Sequence, residues 1–233
     1  MNKEILKSGL KMCGYELNKE QEEKFSVFSK MLVEWNEKIN LTAVTDPDGI
    51  SIKHFLDSLA PIFKINFKEN ARVIDIGTGA GFPGIPIKIL REDLSFTYLD
   101  SLNKRINFLK EVSKNLNLEN AEFIHMRAEE AGQNKLLRES FDYAVSRAVA
   151  PLKILSEYAL PLLKMDGIFA AFKSFDIDEE VNDAKSMIGN LGGKIKDIIE
   201  VSIPNSDILR KIVLIEKIKE TPKQFPRKPN KIK

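Results

Sequence analysis

The stretch Asp75-Ile76-Gly77-Thr78-Gly79-Ala80-Gly81-Phe82-Pro83-Gly84 carries the densest chemical signal in the chain. Glycines at 77, 79 and 81 let a backbone turn sharply and approach a ligand with no Cβ in the way. A nicotinamide dinucleotide fingerprint needs the spacing G-x-G-x-x-G, with a pyrophosphate on the helix N-terminus. Counted from Gly77 the third position is Phe82, and counted from Gly79 it is Gly84 with Gly81 in second place, so the match is imperfect. No Gly-Lys-Ser/Thr follows, which excludes a phosphate loop.

Three acidic features order themselves around this turn. Asp75 stands in the apolar run just before the glycines, and Asp100 follows Gly81 by 19 residues. A carboxylate there can accept both hydroxyls of a ribose. Ala128-Glu129-Glu130 comes after a third apolar run, where an adenine edge would lie. Each feature alone has a plain alternative, since Asp100 can cap a helix and Glu129-Glu130 can start a solvated one. In this order on successive strand ends they favour S-adenosylmethionine, bound by Asp75, Gly77, Gly79 and Asp100.

The next motif narrows the reaction. Enzymes that methylate exocyclic amines usually carry Asn/Asp-Pro-Pro-aromatic after the fourth strand, and this chain has Ser146-Arg147-Ala148. Cytosine C5 chemistry needs a cysteine nucleophile, and Cys13 is the only cysteine, far from these motifs. Chemistry requiring neither device is left, and guanine N7 is one such target, because its ring lone pair is unprotonated and nucleophilic at neutral pH. For such a target catalysis consists of aligning the nucleophile with the methyl group, so the lack of an obvious general base agrees with N7 methylation without singling it out.

The elements that must position these residues begin with a helical part. Ile5, Leu6, Gly9, Leu10 and Cys13 share one helical face, and Gly14 ends the run. Asn18 and Gln21 have capping-box spacing, and Phe25, Phe28, Leu32, Trp35 and Ile39 follow at helical period. A third helix is expected from near Pro47, turning Ile50, Phe55, Leu56 and Leu59 inward. From about residue 71 strands and helices alternate, with strands expected at 72–76, 96–99, 122–126, 141–145 and 168–172. Helices are expected through 85–90, over 102–116, from Pro151 at the first helical position until before Gly167, and around 181–191. Two last strands, near 195–203 and 210–216, read as an antiparallel hairpin at a sheet edge. This is an α/β, Rossmann-like class I architecture: a doubly wound, mostly parallel sheet with ligands at the strand C-terminal ends. The expected organisation is a helical extension over 1–66, the Rossmann-like domain over 67–219 and a basic tail over 220–233.

Composition sets outer limits. The 233 residues, 43% hydrophobic and 30% charged, suit one soluble globular domain with an extension. No apolar run is long enough for a signal peptide or a membrane span. A single cysteine allows no internal disulfide, and with only two distant histidines no conventional zinc site is expected; both fit a cytoplasmic protein. From Lys217 to Lys233 seven basic residues face one acid, Glu220, so this block is +6 and the preceding residues sum to −4 in a chain of net +2. Such an asymmetry suggests a polyanion contact or a solvated tail. Lys104, Arg105, Lys173, Arg227 and Lys228 are the candidate RNA-binding cations, since Lys104-Arg105 and Lys173 stand at the expected ligand edge.

The chain resembles the bacterial RsmG (GidB) family over nearly its whole length. The resemblance rests on Trp35-Asn36, Asn40-Leu41-Thr42-Ala43-Val44, His54-Phe55-Leu56-Asp57-Ser58-Leu59 and the glycine turn through Ile85. It continues in Asp100-Ser101, Lys104-Arg105, Val145-Ser146-Arg147-Ala148, Thr221-Pro222 and Pro226-Arg227-Lys228-Pro229. It implies an S-adenosylmethionine-dependent enzyme that methylates N7 of a guanosine in 16S ribosomal RNA of the small ribosomal subunit, in the 530 loop. It also implies that Gly77 and Phe82 contact S-adenosylmethionine, with Ala128 and Glu129 near the adenine and Arg147 lining the pocket. Phe82 can present a π-face to the cationic sulfonium or pack under the turn. Arg147 beside a cationic cofactor needs an anion, such as the cofactor carboxylate or a phosphate. Asn40 and His54 either dock on the active site or serve as a helix cap and an interior hydrogen bond.

Other classes remain in view. A methyltransferase for another RNA, a protein or a small molecule is the alternative, and the basic residues count against a small molecule. A non-enzymatic RNA-binding protein that retains the cofactor, and a nicotinamide-dependent oxidoreductase, are weaker readings. Nothing in the sequence demands more than a monomer.

Overall fold

The computed structural model describes residues 1–228. Pro229 of the resemblance and Lys231 and Lys233 of the basic block lie outside the described residues. Asn2 caps α1 (Lys3–Met12), and Asn18 and Gln21 close the expected capping box at the start of α2 (Lys19–Ile39). Asn40 ends α2 in the left-handed conformation, φ 50°, which asparagine tolerates well.

The expected third helix is instead a broken run. It passes through α3 (Pro47–Gly49), a π-helical segment Ile50–Leu56, α4 (Asp57–Leu59) and a 3-10 segment Ala60–Lys64. Wide π-turns inside helices frequently mark functional sites, and this one carries His54.

Seven strands form one sheet in the order β3-β2-β1-β4-β5-β7-β6. They are β1 (Arg72–Ile76), β2 (Ser95–Asp100), β3 (Ala121–His125), β4 (Phe141–Arg147), β5 (Leu163–Ser174), β6 (Gly193–Ser202) and β7 (Leu209–Lys217). The first five are parallel, and β7 lies antiparallel between β5 and β6, the expected edge hairpin. Five helices complete the winding: α5 (Gly84–Leu90), α6 (Asn103–Asn115), α7 (Ala128–Gln133), α8 (Leu152–Ala159) and α9 (Asp178–Asn190).

Alternate strand residues feed two cores, as the period of two requires. Val73, Tyr98, Val145 and Ile212 join the first core with α2, α5 and α6, while Ile74, Leu99, Ala144 and Val213 join the second with α8 and α9. The N-terminal helices are part of the first core, not an appendage. Phe25, Phe28 and Phe55 pack together, and the latter two reach Phe82 of the glycine turn at 5.3 and 6.1 Å between ring centroids.

Two boundaries differ from expectation. Pro151 precedes α8 as its extended cap (ψ 150°), because the free N–H of Leu152 is capped by the Glu180 carboxylate. The chain leaves the helix at Leu163, well before Gly167, and β5 is longer than expected. Residues 164–167 bulge out of register between Leu163, opposite Phe141, and Ile168, opposite Tyr143, which hides the strand start from a simple alternation count.

The basic block also divides. Lys217 is fully buried, donating to Glu139 Oε1 and to the Leu163 carbonyl, each at 2.8 Å. Residues 221–227 run back across α7 and α8 rather than trailing into solvent. Thr221 and Phe225 are buried, and Arg138 donates to the carbonyls of Thr221 and Phe225 at 2.7 and 2.8 Å. Of the basic tail, residues 221–227 are thus packed on the domain.

Candidate functional site

The chain reverses direction across the sheet between β1 and β4, and the ends of β1, β2 and β4 open there. Ligands bind at such switch points. A cavity of about 440 Å³ occupies this one, lined by Gly77, Gly79, Phe82, Asp100, Arg105, Ala128, Glu129 and Arg147, together with Thr42, His54 and Tyr158. Its size falls within the usual range for small-ligand sites.

The glycine turn is anchored by Gly77 and Thr78, whose N–H groups donate to the Leu99 carbonyl at 2.8 and 3.1 Å. Gly77 has φ +67°, and a Cβ there would lie 2.6 Å from Val149 Cγ2. Gly79 has φ +60°, and a Cβ there would lie 3.9 Å from the Gly77 carbonyl oxygen. Side chains in this backbone conformation are strained, so the turn presents bare backbone to the cavity.

Asp100 closes the turn from β2. Its Oδ2 accepts the Gly79 N–H at 2.9 Å and Arg105 Nη1 at 3.3 Å, while Oδ1 accepts the Leu102 N–H at 2.9 Å. An ionised carboxylate offers about four acceptor positions. Displacing Arg105 leaves acceptors free on Asp100, so its acceptor set fits the two donor hydroxyls of a ribose diol. Glu129 Oε1 accepts Tyr158 Oη at 3.4 Å, and burial followed by Glu129 pushes the Tyr158 phenol up to about 12.

Asp75 does not line the cavity, which corrects its assignment as a cofactor ligand. It is fully buried under the turn, where Oδ2 accepts Thr78 Oγ1 at 2.8 Å and the Gly84 N–H at 2.9 Å. Burial raises its carboxyl to about 7, against those two hydrogen bonds and Arg147, which favour the ionised form. Its part is to tie the turn to the start of α5.

Arg147, at the end of β4, finds its anion inside the protein. Nη1 donates to Asp57 Oδ2 at 3.0 Å and to the Lys53 carbonyl at 3.2 Å. Asp57, from α4, is buried and also takes Arg210 Nε of β7 at 2.7 Å. Burial lowers the Arg147 pKa, and Asp57 is the leading opposing influence. The guanidinium carbon lies 5.1 Å from the Phe82 ring centroid.

Phe82 is buried, and His54 stacks on it at 4.6 Å with planes 12° apart. Its π-surface is thus engaged by protein groups, which disfavours the reading of a face kept open for a sulfonium. His54 Nε2 meets Thr42 Oγ1 at 2.8 Å, and that oxygen accepts the Val44 N–H at 3.0 Å. Burial first, then Arg147, lowers the His54 pKa from 6.5 to about 4. The imidazole is therefore neutral at pH 7. Between pH 6.5 and 4 the unfolded chain takes the proton before the folded one does, so stability falls as pH drops through this window. The expected NMR result is a His54 Cε1 resonance that stays flat from pH 8 to 5; a midpoint near 6.5 contradicts the buried neutral imidazole.

The candidate RNA cations separate into two groups. Lys104 and Lys228 are exposed and Arg105 sits on the cavity rim. Lys173 instead donates to Glu180 Oε1 at 2.6 Å and to the Ala150 carbonyl at 2.8 Å, so its ammonium is spent internally. Arg227 forks onto buried Glu157, with Nε to Oε1 at 2.9 Å and Nη2 to Oε2 at 2.7 Å. Neither is the free cation expected from its position in sequence. Thr42, Asp57 and Tyr158 were not nominated in advance. The one available signal was Asp57 within His54-Phe55-Leu56-Asp57, an acid in an otherwise apolar run.

Among the described residues no group of three or more His, Cys, Asp or Glu side chains could hold a metal ion, and no helix is long and apolar enough to cross a membrane.

Comparison with known proteins gives one answer. The family profile GidB, rRNA small subunit methyltransferase G, matches residues 21–208. A ribosomal RNA small subunit methyltransferase G from Clostridium perfringens is 50% identical over 229 residues, covering 98% of this chain and 96% of its own length. The protein of that name from Bacillus subtilis is 48% identical over 229 residues with the same coverage. Among solved structures, a SAM-dependent methyltransferase from Aquifex aeolicus superposes with a TM-score of 0.55 at 20% identity, over 74% of this chain and 94% of that one. TYW2 from M. jannaschii in complex with AdoMet gives 0.50 at 16% identity, over 71% of this chain and 73% of that one. At such identities these two likenesses speak for the Rossmann-like methyltransferase fold alone.

Proposed function

The chain belongs to the rRNA small subunit methyltransferase G family, and from that premise we propose that it methylates N7 of a specific guanosine in 16S ribosomal RNA. It is an S-adenosylmethionine-dependent methyltransferase acting on small-subunit ribosomal RNA. The observation that carries the finer reading is one cavity in which Asp100, a bare glycine turn and an Arg147 held by Asp57 come together beside a buried His54 whose pKa is lowered to about 4, a weak base.

Bound S-adenosylmethionine supplies an electrophilic methyl group on a sulfonium. N7 would accept that methyl group through its own lone pair without giving up a proton, so no residue of the chain has to move one. Catalysis by the protein then reduces to positioning and exclusion of water. Asp100 would hold the ribose, the bare 77–81 turn would permit close approach, and Ala128 and Glu129 would border the adenine. Arg147, locked by Asp57, shapes the side from which the base enters. His54 stays neutral there and adds no charge beside a cationic donor.

Arg105, which lines the cavity, and the exposed Lys104 and Lys228 are the cations left to meet RNA phosphates. Lys104→Ala is expected to weaken subunit binding uniformly and to reduce the slope of log affinity against log salt by about 1. An unchanged slope in a filter-binding series removes Lys104 from the interface.

The direct test of the N7 reading compares nucleosides of 16S RNA from cells with and without the gene by mass spectrometry. Loss of one 7-methylguanosine is the expected difference. Loss of another methylated nucleoside keeps the enzyme class and overturns the position.

A further inference from the structure

We propose that residues 221–227 are a clamp that sets the adenine-side wall of the cofactor cavity, with Arg227 as its positioning residue. The inference rests on the cofactor reading of that cavity and assigns Arg227 a role other than RNA contact.

The wall is built from short pieces. α7 has only six residues, too few to be stable without external packing, yet it brings Ala128 and Glu129 to the cavity. Its outer side is held by the returning chain. Gln133 Nε2 donates to the carbonyls of Lys223 and Pro226 at 3.2 and 3.0 Å. Pro226 lies so close to Gly132 that a Cβ there would sit 2.4 Å from Pro226 Cγ. Arg138 joins the two, donating to the Gly132 and Phe225 carbonyls, both at 2.8 Å.

The second arm of the clamp is Arg227 on α8. Besides its fork, the Arg227 backbone N–H donates to Glu157 Oε1 at 2.7 Å. Glu157 is buried to within 1% of completely, so removing Arg227 strands a desolvated side chain without its partner. Successive helical residues point about 100° apart, which places Glu157 under the clamp and the next residue, Tyr158, in the cavity against Glu129. The Arg227–Glu157 pair therefore fixes the turn of α8 that presents Tyr158, while Pro226 and Gln133 fix the helix that presents Glu129. Both sides of one hydrogen bond in the wall are set from behind by one segment.

The test uses Arg227→Ala in the full-length protein, with the double variant Glu157→Gln/Arg227→Ala to avoid stranding a buried carboxylate. Gly132→Ala, which displaces Pro226 while leaving every charge in place, is the independent arm. The expected result is an S-adenosylmethionine KM and calorimetric Kd raised about tenfold in each, with kcat at saturating cofactor and KM for small subunits unchanged. Arg227→Lys, which keeps the charge and loses the fork, falls between. A raised KM for subunits with a smaller salt slope and normal cofactor affinity overturns the proposal in favour of an RNA contact. A lower melting temperature with unchanged cofactor affinity also overturns it, leaving a purely structural role. Wild-type cofactor binding, measured alongside, reports separately on the reading on which the proposal rests.

Discussion

Asp100→Ala is expected to weaken S-adenosylmethionine binding by about two orders of magnitude. The carboxylate is 3% exposed and stands at the end of β2 with its oxygens toward the glycine turn. Two effects combine. Hydrogen bonds to a charged acceptor contribute about 1.5–3 kcal/mol each, so losing even one bond to a ribose diol costs about ten- to a hundredfold. The substitution also releases the Gly79 and Leu102 N–H groups, loosening the turn that must lie against the ligand. Asp100→Asn separates the two, since the amide oxygen can keep one backbone contact but carries no charge. Calorimetric titration with a melting curve on each variant measures both. Affinity for Asp100→Ala within threefold of wild type, in a folded protein, contradicts the ribose assignment.

Asp57→Ala is the second large effect, and it acts from outside the glycine turn. Asp57 is the common anion of Arg147 and Arg210. Removing one member of a buried ion pair costs about 3–5 kcal/mol, because the remaining charge stays desolvated. For a chain of this size each kcal/mol moves Tm by about 2–4 °C, so a fall of about 10 °C is expected. Arg147 also loses the contact that holds it beside Phe82. kcat should then drop at least about a hundredfold at saturating substrates, since a positioning mechanism has no chemical step to compensate for misplacement. Arg210→Ala leaves Arg147 paired and is expected to cost much less. Equal losses for Arg210→Ala and Asp57→Ala contradict the view that Asp57 acts chiefly through Arg147.

How legible all this was depended on sequence distance. The turn at 77–81 and Asp100 could be read because their geometry is local: a glycine pattern, a strand end and a fixed spacing. The sheet could be read from alternating apolar runs, and the hairpin from two strands adjacent in sequence. Partners far apart left no such trace. Asp57 and Arg210 are separated by 153 residues, and Arg227 and Glu157 by 70. Charge counts treated Lys173, Lys217 and Arg227 as available cations, whereas each faces a carboxylate in the fold. A hint lay in Glu157, an acid beside the apolar residues of α8, and in Lys217, which continues the strand alternation of β7. Asp75 was misassigned for a related reason. An acid next to a ligand-binding turn looks like a ligand contact, but strand alternation turns it beneath the turn, against Thr78 and Gly84.

The most direct measurement incubates purified protein with tritium-labelled S-adenosylmethionine and small ribosomal subunits from cells lacking the gene, followed by nucleoside mass spectrometry. Label in a single 7-methylguanosine of 16S RNA, absent with Asp100→Ala and Arg147→Ala, is the predicted result. Label in a different nucleoside, or transfer that survives both substitutions, contradicts the assignment of this cavity as the site of guanine N7 methylation.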